Sequence, residues 1–161
     1  MATLQMIVDD FLAQKRIAVV GVRTTTQDAA NAIYDKFKGA GYEVFAVNPK
    51  VESFNGEPCY PNVGEIPGGV DLAMICTNPT VTEQVVKDCH AAGVKRVWMH
   101  RSIGDSSSPV AVEYCKEHGM AVLPGGCPMM FVDPVDFGHQ CMRFIGKLSG
   151  WMPKEMEVPT A

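Results

Sequence analysis

A short segment after the first apolar run carries the residue types that bind anions. Gly21 ends the run of residues 17–20, and Val22, Arg23 and Thr24 follow it. Free backbone amides at the start of the next predicted helix, together with the helix dipole, favour a phosphate. The guanidinium and hydroxyl groups add hydrogen-bond donors. Only Gly21 of the dinucleotide fingerprint G-x-G-x-x-G is present, so the segment predicts a phosphate contact without identifying the nucleotide.

A second segment, Asn48, Pro49 and Lys50, follows another apolar run. Domains that bind NAD usually carry an acidic residue here, which holds both ribose hydroxyls. An amide followed by a cation would attract a phosphate on the ribose instead. The pattern therefore predicts an adenine nucleotide with a phosphorylated ribose, and it leaves coenzyme A and NADP as alternatives.

Three further segments follow apolar runs and complete the set of candidate ligand contacts. Cys127 lies between Gly126 and a proline, where a ligand thiol could arrive, and its thiolate would need a nearby cation or helix N-terminus. A mixed disulfide with the ligand and simple packing in a turn are the two interpretations, of which packing is favoured. The three segments are Cys76, Thr77, Asn78 and Pro79; Met99, His100 and Arg101; and Cys127 and Pro128.

The chain shows none of the familiar catalytic or metal-binding spacings. It contains no GxSxG, HExxH or P-loop pattern, its histidines are scattered, and its six cysteines form no CxxC pair. Asp133 and Asp136 precede a helical pattern and are typical of capping residues. We therefore predict no catalytic residue and no metal site, and we expect mostly buried, reduced thiols.

Alternating apolar runs and helical patterns predict the elements that position these segments. An α/β fold is expected: a Rossmann-like, doubly wound parallel sheet of five strands in the order 3-2-1-4-5, with helices on both faces in three layers. Ligands bind such sheets beyond the carboxyl ends of the strands, which is where all five segments fall. The predicted strands are 17–20, 42–47, 70–76, 94–99 and 120–123, and the predicted helices are 1–15, 29–38, 79–92, 109–118 and 137–148.

Length and composition restrict the organisation and the location of the chain. The 161 residues predict one domain, residues 1–150, with a tail at 151–161. A net charge of −4 argues against nucleic-acid binding. No apolar run approaches the roughly 20 residues that span a bilayer, and the acidic N-terminus is unlike a signal peptide. We therefore expect a cytoplasmic protein without a membrane or nucleic-acid partner.

The order and spacing of several segments resemble the stand-alone CoA-binding domain proteins, which are similar to the N-terminal CoA-binding domain of the succinyl-CoA synthetase α subunit. The resemblance covers about residues 5–130 and implies a Rossmann-like fold with CoA across the strand ends. It places residues 21–24 at the phosphates, 48–50 at the adenosine end, and 76–79 and 99–101 along the ligand. The segments are 17–21, 47–50, 58–61, 66–67, 70–72, 97–99 and 126–128.

Two departures from this family qualify the expected function. Many members have Gln and Gly where this chain has His100, Arg101 and Ser102, a change that adds a cation. The synthetase uses a histidine in a following domain for phosphoryl transfer, and these 161 residues contain no such domain. We therefore expect binding of CoA or an acyl-CoA as a non-catalytic carrier, sensor or regulatory module.

Two other classes of function remain open from the sequence. One is an enzyme, either an NADP-dependent oxidoreductase or a CoA-dependent transferase. The other is a protein-interaction domain on a degenerate Rossmann scaffold. A homodimer is also possible if the apolar segment from Met129 to Phe131 is exposed.

Overall fold

A central sheet of seven strands organises the protein. The computed structural model describes residues 2–102, 104–152 and 155–156. The strands lie in the order β4-β5-β3-β2-β6-β7-β8, all parallel to their neighbours except β4, which is antiparallel to β5. A separate antiparallel pair joins β1 to β9. The strands are β1 Ala2–Thr3, β2 Arg16–Val20, β3 Glu43–Val47, β4 Ser53–Phe54, β5 Glu57–Tyr60, β6 Leu72–Ile75, β7 Arg96–Met99, β8 Ala121–Pro124 and β9 Glu155–Met156.

Five helices cover the sheet on its two faces. Neighbouring residues of β2 divide between two cores: Ile17 packs with α1 and α2, whereas Ala18 packs with α3 and α4. Because both faces are covered, the strands are apolar without alternation. The α/β class is confirmed, as is each predicted helix. The helices are α1 Leu4–Leu12, α2 Ala29–Gly39, α3 Pro79–Ala91, α4 Pro109–Glu117 and α5 Phe137–Ser149.

The predicted number and order of strands were wrong. No strand is predicted within residues 51–69, which contain several prolines and glycines, but this segment includes β4 and β5. Because β5 occupies the position beyond β3, the run at 70–76 pairs with the other edge of β2, where Ile17 lies opposite Leu72. Prolines are tolerated here because Pro58 lies in the pairing of β5 with the two-residue edge strand β4.

Capping residues fix the starts of the helices at the carboxyl edge of the sheet. The side chain of Asn78 accepts a hydrogen bond from the Val81 amide at 3.0 Å, and Pro79 follows it at the first helical position. Ser108 and Asp136 cap α4 and α5 in the same way. The cap at Asp136 confirms the capping role predicted for that residue.

The C-terminal segment continues beyond the predicted domain end at residue 150. Met152 is buried against the core, and β9 pairs with β1. Of the predicted tail, residues 153–154 and 157–161 lie outside the described residues. In the described part of the chain, no helix is both long and apolar enough to cross a membrane. All six cysteines are free thiols, and four of them are buried.

Candidate functional site

Directly after β2, the backbone at Gly21 passes very close to the neighbouring strands. Its amide donates a hydrogen bond to the carbonyl of Val47 at 2.9 Å, and its φ of +108° lies in the region that favours glycine. A Cβ atom at this position would lie 2.6 Å from the carbonyl oxygen of Cys76. The backbone therefore passes between the ends of β3 and β6 in a space that admits no side chain.

The loop after Gly21 is held from beneath by Asn31 of α2. The Asn31 side chain accepts a hydrogen bond from the Arg23 amide at 2.9 Å and donates to the carbonyls of Arg23 and Thr26, at 2.7 and 3.0 Å. Asn31 and Val22 are buried, whereas Arg23 and Thr24 are exposed. Asn31 was not among the predicted site residues, although a polar residue among the core-facing positions of α2 was an available signal.

The exposed side of this loop borders an open cavity of about 240 Å³, which we call the polar cavity. The Arg23 guanidinium lies 3.4 Å from the carboxylate of Asp28 at the cap of α2. Hydroxyl, amide and guanidinium groups therefore line this cavity, and the carboxylate of Asp28 occupies the N-cap of α2 beside them. The cavity is lined by Arg23, Thr24, Thr25, Thr26, Gln27, Asn31, Phe54 and Asn55.

Asn48 joins this loop to the one that follows β3. Its side-chain nitrogen donates to the Val22 carbonyl at 2.7 Å, and its side-chain oxygen accepts from the Lys50 amide at 2.9 Å. Both ends of the amide are thus engaged within the protein, and Asn48 fixes the positions of its neighbours. Pro49 and Lys50 remain exposed at the edge of the sheet.

A second cavity of about 310 Å³, which we call the apolar cavity, lies on the α3 side of the strand ends. It brings together five of the predicted site residues: Gly21, Asn48, Pro49, Lys50 and Thr77. The remaining lining residues were not predicted: two are the last residues of β2 and β3, three follow the unpredicted strand β5, and four lie on one face of α3. These are Val20, Val47, Pro61, Asn62, Val63, Val81, Gln84, Val85 and Asp88.

Most residues of the segment after β6 serve to position helix α3. The Thr77 hydroxyl is 2.8 Å from that of Thr82, a buried residue of α3, and Asn78 and Pro79 start that helix. Burial raises the pKa of the Cys76 thiol, and the neighbouring Cys127 and Asp28 raise it further. Of the four predicted residues in this segment, Thr77 lines the apolar cavity, whereas Cys76, Asn78 and Pro79 line neither cavity.

The segment after β7 contains buried residues and one exposed cation. Met99 and His100 are buried, and the His100 imidazole lies 3.1 Å from the Ser102 hydroxyl. Burial lowers the pKa of His100, with the carboxylate of Asp105 opposing the effect. The exposed cation of this loop is Arg101, whose guanidinium lies 3.4 Å from Asp105.

The segment after β8 packs inward. Cys127 is buried, and its pKa is raised to about 11, mainly by that burial, while Asp136 adds to the rise and a backbone hydrogen bond from Met129 opposes it. This environment favours the packed thiol over the reactive one. Pro128 begins a short 3₁₀ turn, and Met130 within it is fully buried. Residues 129–131 therefore do not form the exposed patch considered for a homodimer.

Comparison with known proteins identifies the family. A family model described as a CoA binding domain matches residues 15–133. The α subunit of the ADP-forming acetate–CoA ligase II of Pyrococcus furiosus is 30% identical over 130 residues, which are 74% of this chain and 28% of that subunit. Four ligase relatives of this type are matched over only 11% to 28% of their own lengths.

Solved structures agree with this assignment. The crystal structure of Prb, a redesigned form of the PH1109 protein, has a TM-score of 0.72 and 25% identity, covering 98% of this chain and 97% of its own. A hypothetical protein from Pyrococcus horikoshii OT3 has a TM-score of 0.71 and 28% identity, covering 78% and 87%. The chain belongs to the CoA binding domain family.

Proposed function

We propose that this protein binds coenzyme A or an acyl-CoA across the carboxyl ends of its parallel strands, in a Rossmann-like arrangement. The observation that carries the proposal is the apolar cavity at those strand ends, in a chain whose residues 15–133 match a CoA binding domain. Its lining combines apolar side chains with a lysine and backbone turns. Ligand sites in parallel sheets occupy this edge.

The apolar cavity is proposed to hold the adenosine end. Its volume of about 310 Å³ lies at the lower limit of ligand pockets, so it suits part of a CoA molecule and leaves the rest to extend along the sheet edge. Val63, Val81 and Val85 offer apolar surface for a base. Lys50, at the rim, would attract the ribose 3′-phosphate.

The pyrophosphate is proposed to lie over residues 21–24. Gly21 lines the apolar cavity, and Arg23 and Thr24 line the polar cavity, so this loop connects the two. The remainder of the ligand would then pass the other strand ends. The residues proposed along that path are Cys76, Thr77, Asn78, Pro79, Met99, His100, Arg101, Cys127 and Pro128. Of these, Met99, His100, Cys127 and Pro128 are buried and would support the path from beneath without contacting the ligand.

A non-catalytic role as a carrier, sensor or regulatory module, in the cytoplasm, forms part of the proposal. The raised pKa of Cys127, about 11, supports a thiol that stays protonated at neutral pH rather than a nucleophile. The match to the ligases covers a minor part of those proteins. We further propose residues 1–150 as one CoA-binding domain and 151–161 as its tail.

Calorimetric titration of the reduced protein with CoA, dephospho-CoA and NADP tests the proposal. We expect saturable binding of CoA, weaker binding of dephospho-CoA, and weak or no binding of NADP. Tighter binding of NADP than of CoA would instead favour the oxidoreductase. Failure of all three to bind would favour an interaction domain without a nucleotide.

Replacing Lys50 by alanine tests the ribose-phosphate contact. We expect CoA affinity to fall about tenfold, in the range of a single charge-assisted hydrogen bond, while dephospho-CoA affinity stays constant. Lys15→Ala is the matched control, because Lys15 is an exposed lysine just before β2, at the opposite edge of the sheet. Equal losses for CoA and dephospho-CoA would contradict the role given to Lys50.

A further inference from the structure

The last helix presents an apolar face to solvent. Four of the seven large apolar side chains exposed in the described part of the chain belong to α5. Phe137 is 80% exposed, Phe144 64%, Ile145 61% and Leu148 72%. Their spacing places them on one side of the helix, and they form what we call the α5 stripe.

The opposite side of α5 is fixed to the domain, so the stripe cannot turn inward. Gly146 is buried, and a Cβ atom there would lie 3.0 Å from Met152 and 3.1 Å from Trp151. The Arg143 guanidinium donates to the Met130 carbonyl at 3.2 Å and lies over the ring of Phe131. The stripe is therefore a permanent surface feature.

Charges beside the stripe indicate what covers it. Asp136 precedes the first turn of α5, and its carboxylate, which also pairs with His139, remains more than half exposed. Lys147 lies in the last turn, about three turns away and hence on the same flank. If a second copy docks antiparallel, each Asp136 faces the partner's Lys147, and the helix dipoles oppose each other favourably. A parallel two-fold pair would instead place the charged flanks on opposite sides of the interface, so that no Asp136 would face a lysine. We propose that the α5 stripe is the surface through which two copies of this chain associate in an antiparallel, two-fold dimer.

The size of the stripe predicts a weak dimer. The four exposed side chains contribute roughly 500 Å² per copy, given the surface areas of large apolar side chains. Two copies would bury about 1,000 Å², near the lower limit of specific interfaces. An interface of this size is typical of transient association, so we expect the monomer–dimer equilibrium to respond to protein concentration.

A membrane surface suits the stripe less well than a second copy. Amphipathic helices that lie on membranes carry many basic residues on their polar face. In α5, Arg143 is engaged with Met130 and Phe131, and the carboxylate of Asp136 flanks the stripe. Binding of anionic vesicles by a protein that remains monomeric at all concentrations would overturn the proposal.

Sedimentation velocity of the full chain from about 1 to 200 μM measures the association. We expect the dimer fraction to rise with concentration and Ile145→Lys to weaken dimerisation at least tenfold. Val110→Lys is the matched control, since Val110 on α4 is also 61% exposed. A monomer throughout, or equal effects of the two variants, would overturn the proposal.

Charge variants test the antiparallel arrangement. Lys147→Glu should weaken the dimer, because each new carboxylate would face Asp136 of the other copy. Adding Asp136→Asn, which retains a capping side chain, should recover most of that loss. Undiminished association of Lys147→Glu would overturn the antiparallel pairing.

Cys141 offers an independent readout, because it is partly exposed near the middle of α5 and adjoins the stripe. An antiparallel dimer places the two Cys141 thiols near its two-fold axis. A short bifunctional maleimide should therefore give a covalent dimer that Cys141→Ser abolishes. Crosslinking that persists in Cys141→Ser would contradict this geometry.

Discussion

The two cavities beside the end of β2 are built in different ways from one shared loop. The apolar cavity rests on strand ends and on α3, and its lining includes Val63, Val81 and Val85. The polar cavity rests on a loop held by Asn31, with hydroxyl, amide and guanidinium groups around it. One offers a preformed apolar surface, whereas the other offers hydrogen-bond donors whose positions depend on a single buried side chain.

This difference means that the two cavities should contribute to CoA binding in ways that salt concentration distinguishes. A base in the apolar cavity would contribute binding energy that changes little with salt, because that energy depends on apolar area. Contacts between exposed charges and phosphates in the polar cavity would weaken as salt screens them. Substitutions confined to one cavity should therefore change either the affinity itself or its salt dependence, and a substitution at Gly21, where the loop between the cavities begins, should change both.

Gly21→Ala should have the largest effect, because the added Cβ atom would clash with the carbonyl oxygen of Cys76 and displace the loop that leads from the apolar cavity to the polar cavity. We expect a loss of about 2 kcal/mol or more in the free energy of unfolding, and CoA binding below detection. Gly41→Ala is the control: Gly41 also has a positive φ, +90°, but a Cβ atom there would meet open space. Chemical denaturation and calorimetry measure the two quantities.

If Gly21→Ala retained full CoA affinity, the two cavities would not share a ligand. If Gly41→Ala were as damaging, backbone strain alone would account for the loss of stability and of CoA affinity. The close approach of Gly21 to Cys76 would then not be its cause.

Val81→Trp should affect the apolar cavity alone. Val81 lines that cavity and is 44% exposed, so an indole can fill the space without disturbing the core. We expect CoA affinity to fall about thirtyfold with an unchanged salt dependence and stability within about 0.5 kcal/mol of the parent. Val110→Trp, on the exposed face of α4, should leave affinity unchanged. Unaltered binding by Val81→Trp would place the base elsewhere.

Asn31→Ala should affect the polar cavity more than the apolar one. The substitution leaves the amide of Arg23 and the carbonyls of Arg23 and Thr26 without their partner. We expect a loss of about 2–4 kcal/mol in the free energy of unfolding and about a tenfold loss of CoA affinity. Asn55→Gly removes an amide from the same cavity without releasing the loop. An equal effect of Asn55→Gly would show that lining, rather than loop support, determines affinity.

The sequence predicted the elements better than their arrangement. Apolar runs and caps such as Asn78 are local signals, so the helices and the five main strands could be found from them. The position of the run at 70–76 could not, because it depends on β5, which a proline-containing segment concealed. Each edge of a strand pairs with one neighbouring strand, so a strand that is not predicted changes the predicted order of the others.

The candidate site was predictable to a similar degree. The rule that loops follow strand ends located Gly21, Asn48 and Lys50 at the cavities. It could not distinguish residues that face a cavity from residues that turn inward, since one loop contains both: His100 is buried, whereas Arg101 is exposed. Asn31 and Val81 were missed because they lie on helices that cross to the site.

His100→Gln should have the smallest effect on binding, because His100 lines neither cavity, and it should change the pH dependence of stability instead. Burial lowers the pKa of His100 in the folded protein below its ordinary value of 6.5. As the pH falls below 6.5, the unfolded chain therefore takes up a proton that the folded protein does not, and stability decreases. Above pH 6.5 the imidazole is neutral in both states, and its contribution to stability is fully retained.

The His100→Gln variant should consequently lose less stability than the parent between pH 7.5 and pH 5.5, as measured by urea denaturation. Its CoA affinity at pH 7.5 should stay within twofold of the parent's. His118→Gln is the control, because His118 is exposed on the surface at the end of α4. An identical pH profile for His100→Gln and the parent would mean that the imidazole is hydrated in solution, and a large loss of CoA affinity would bring the end of β7 into the site.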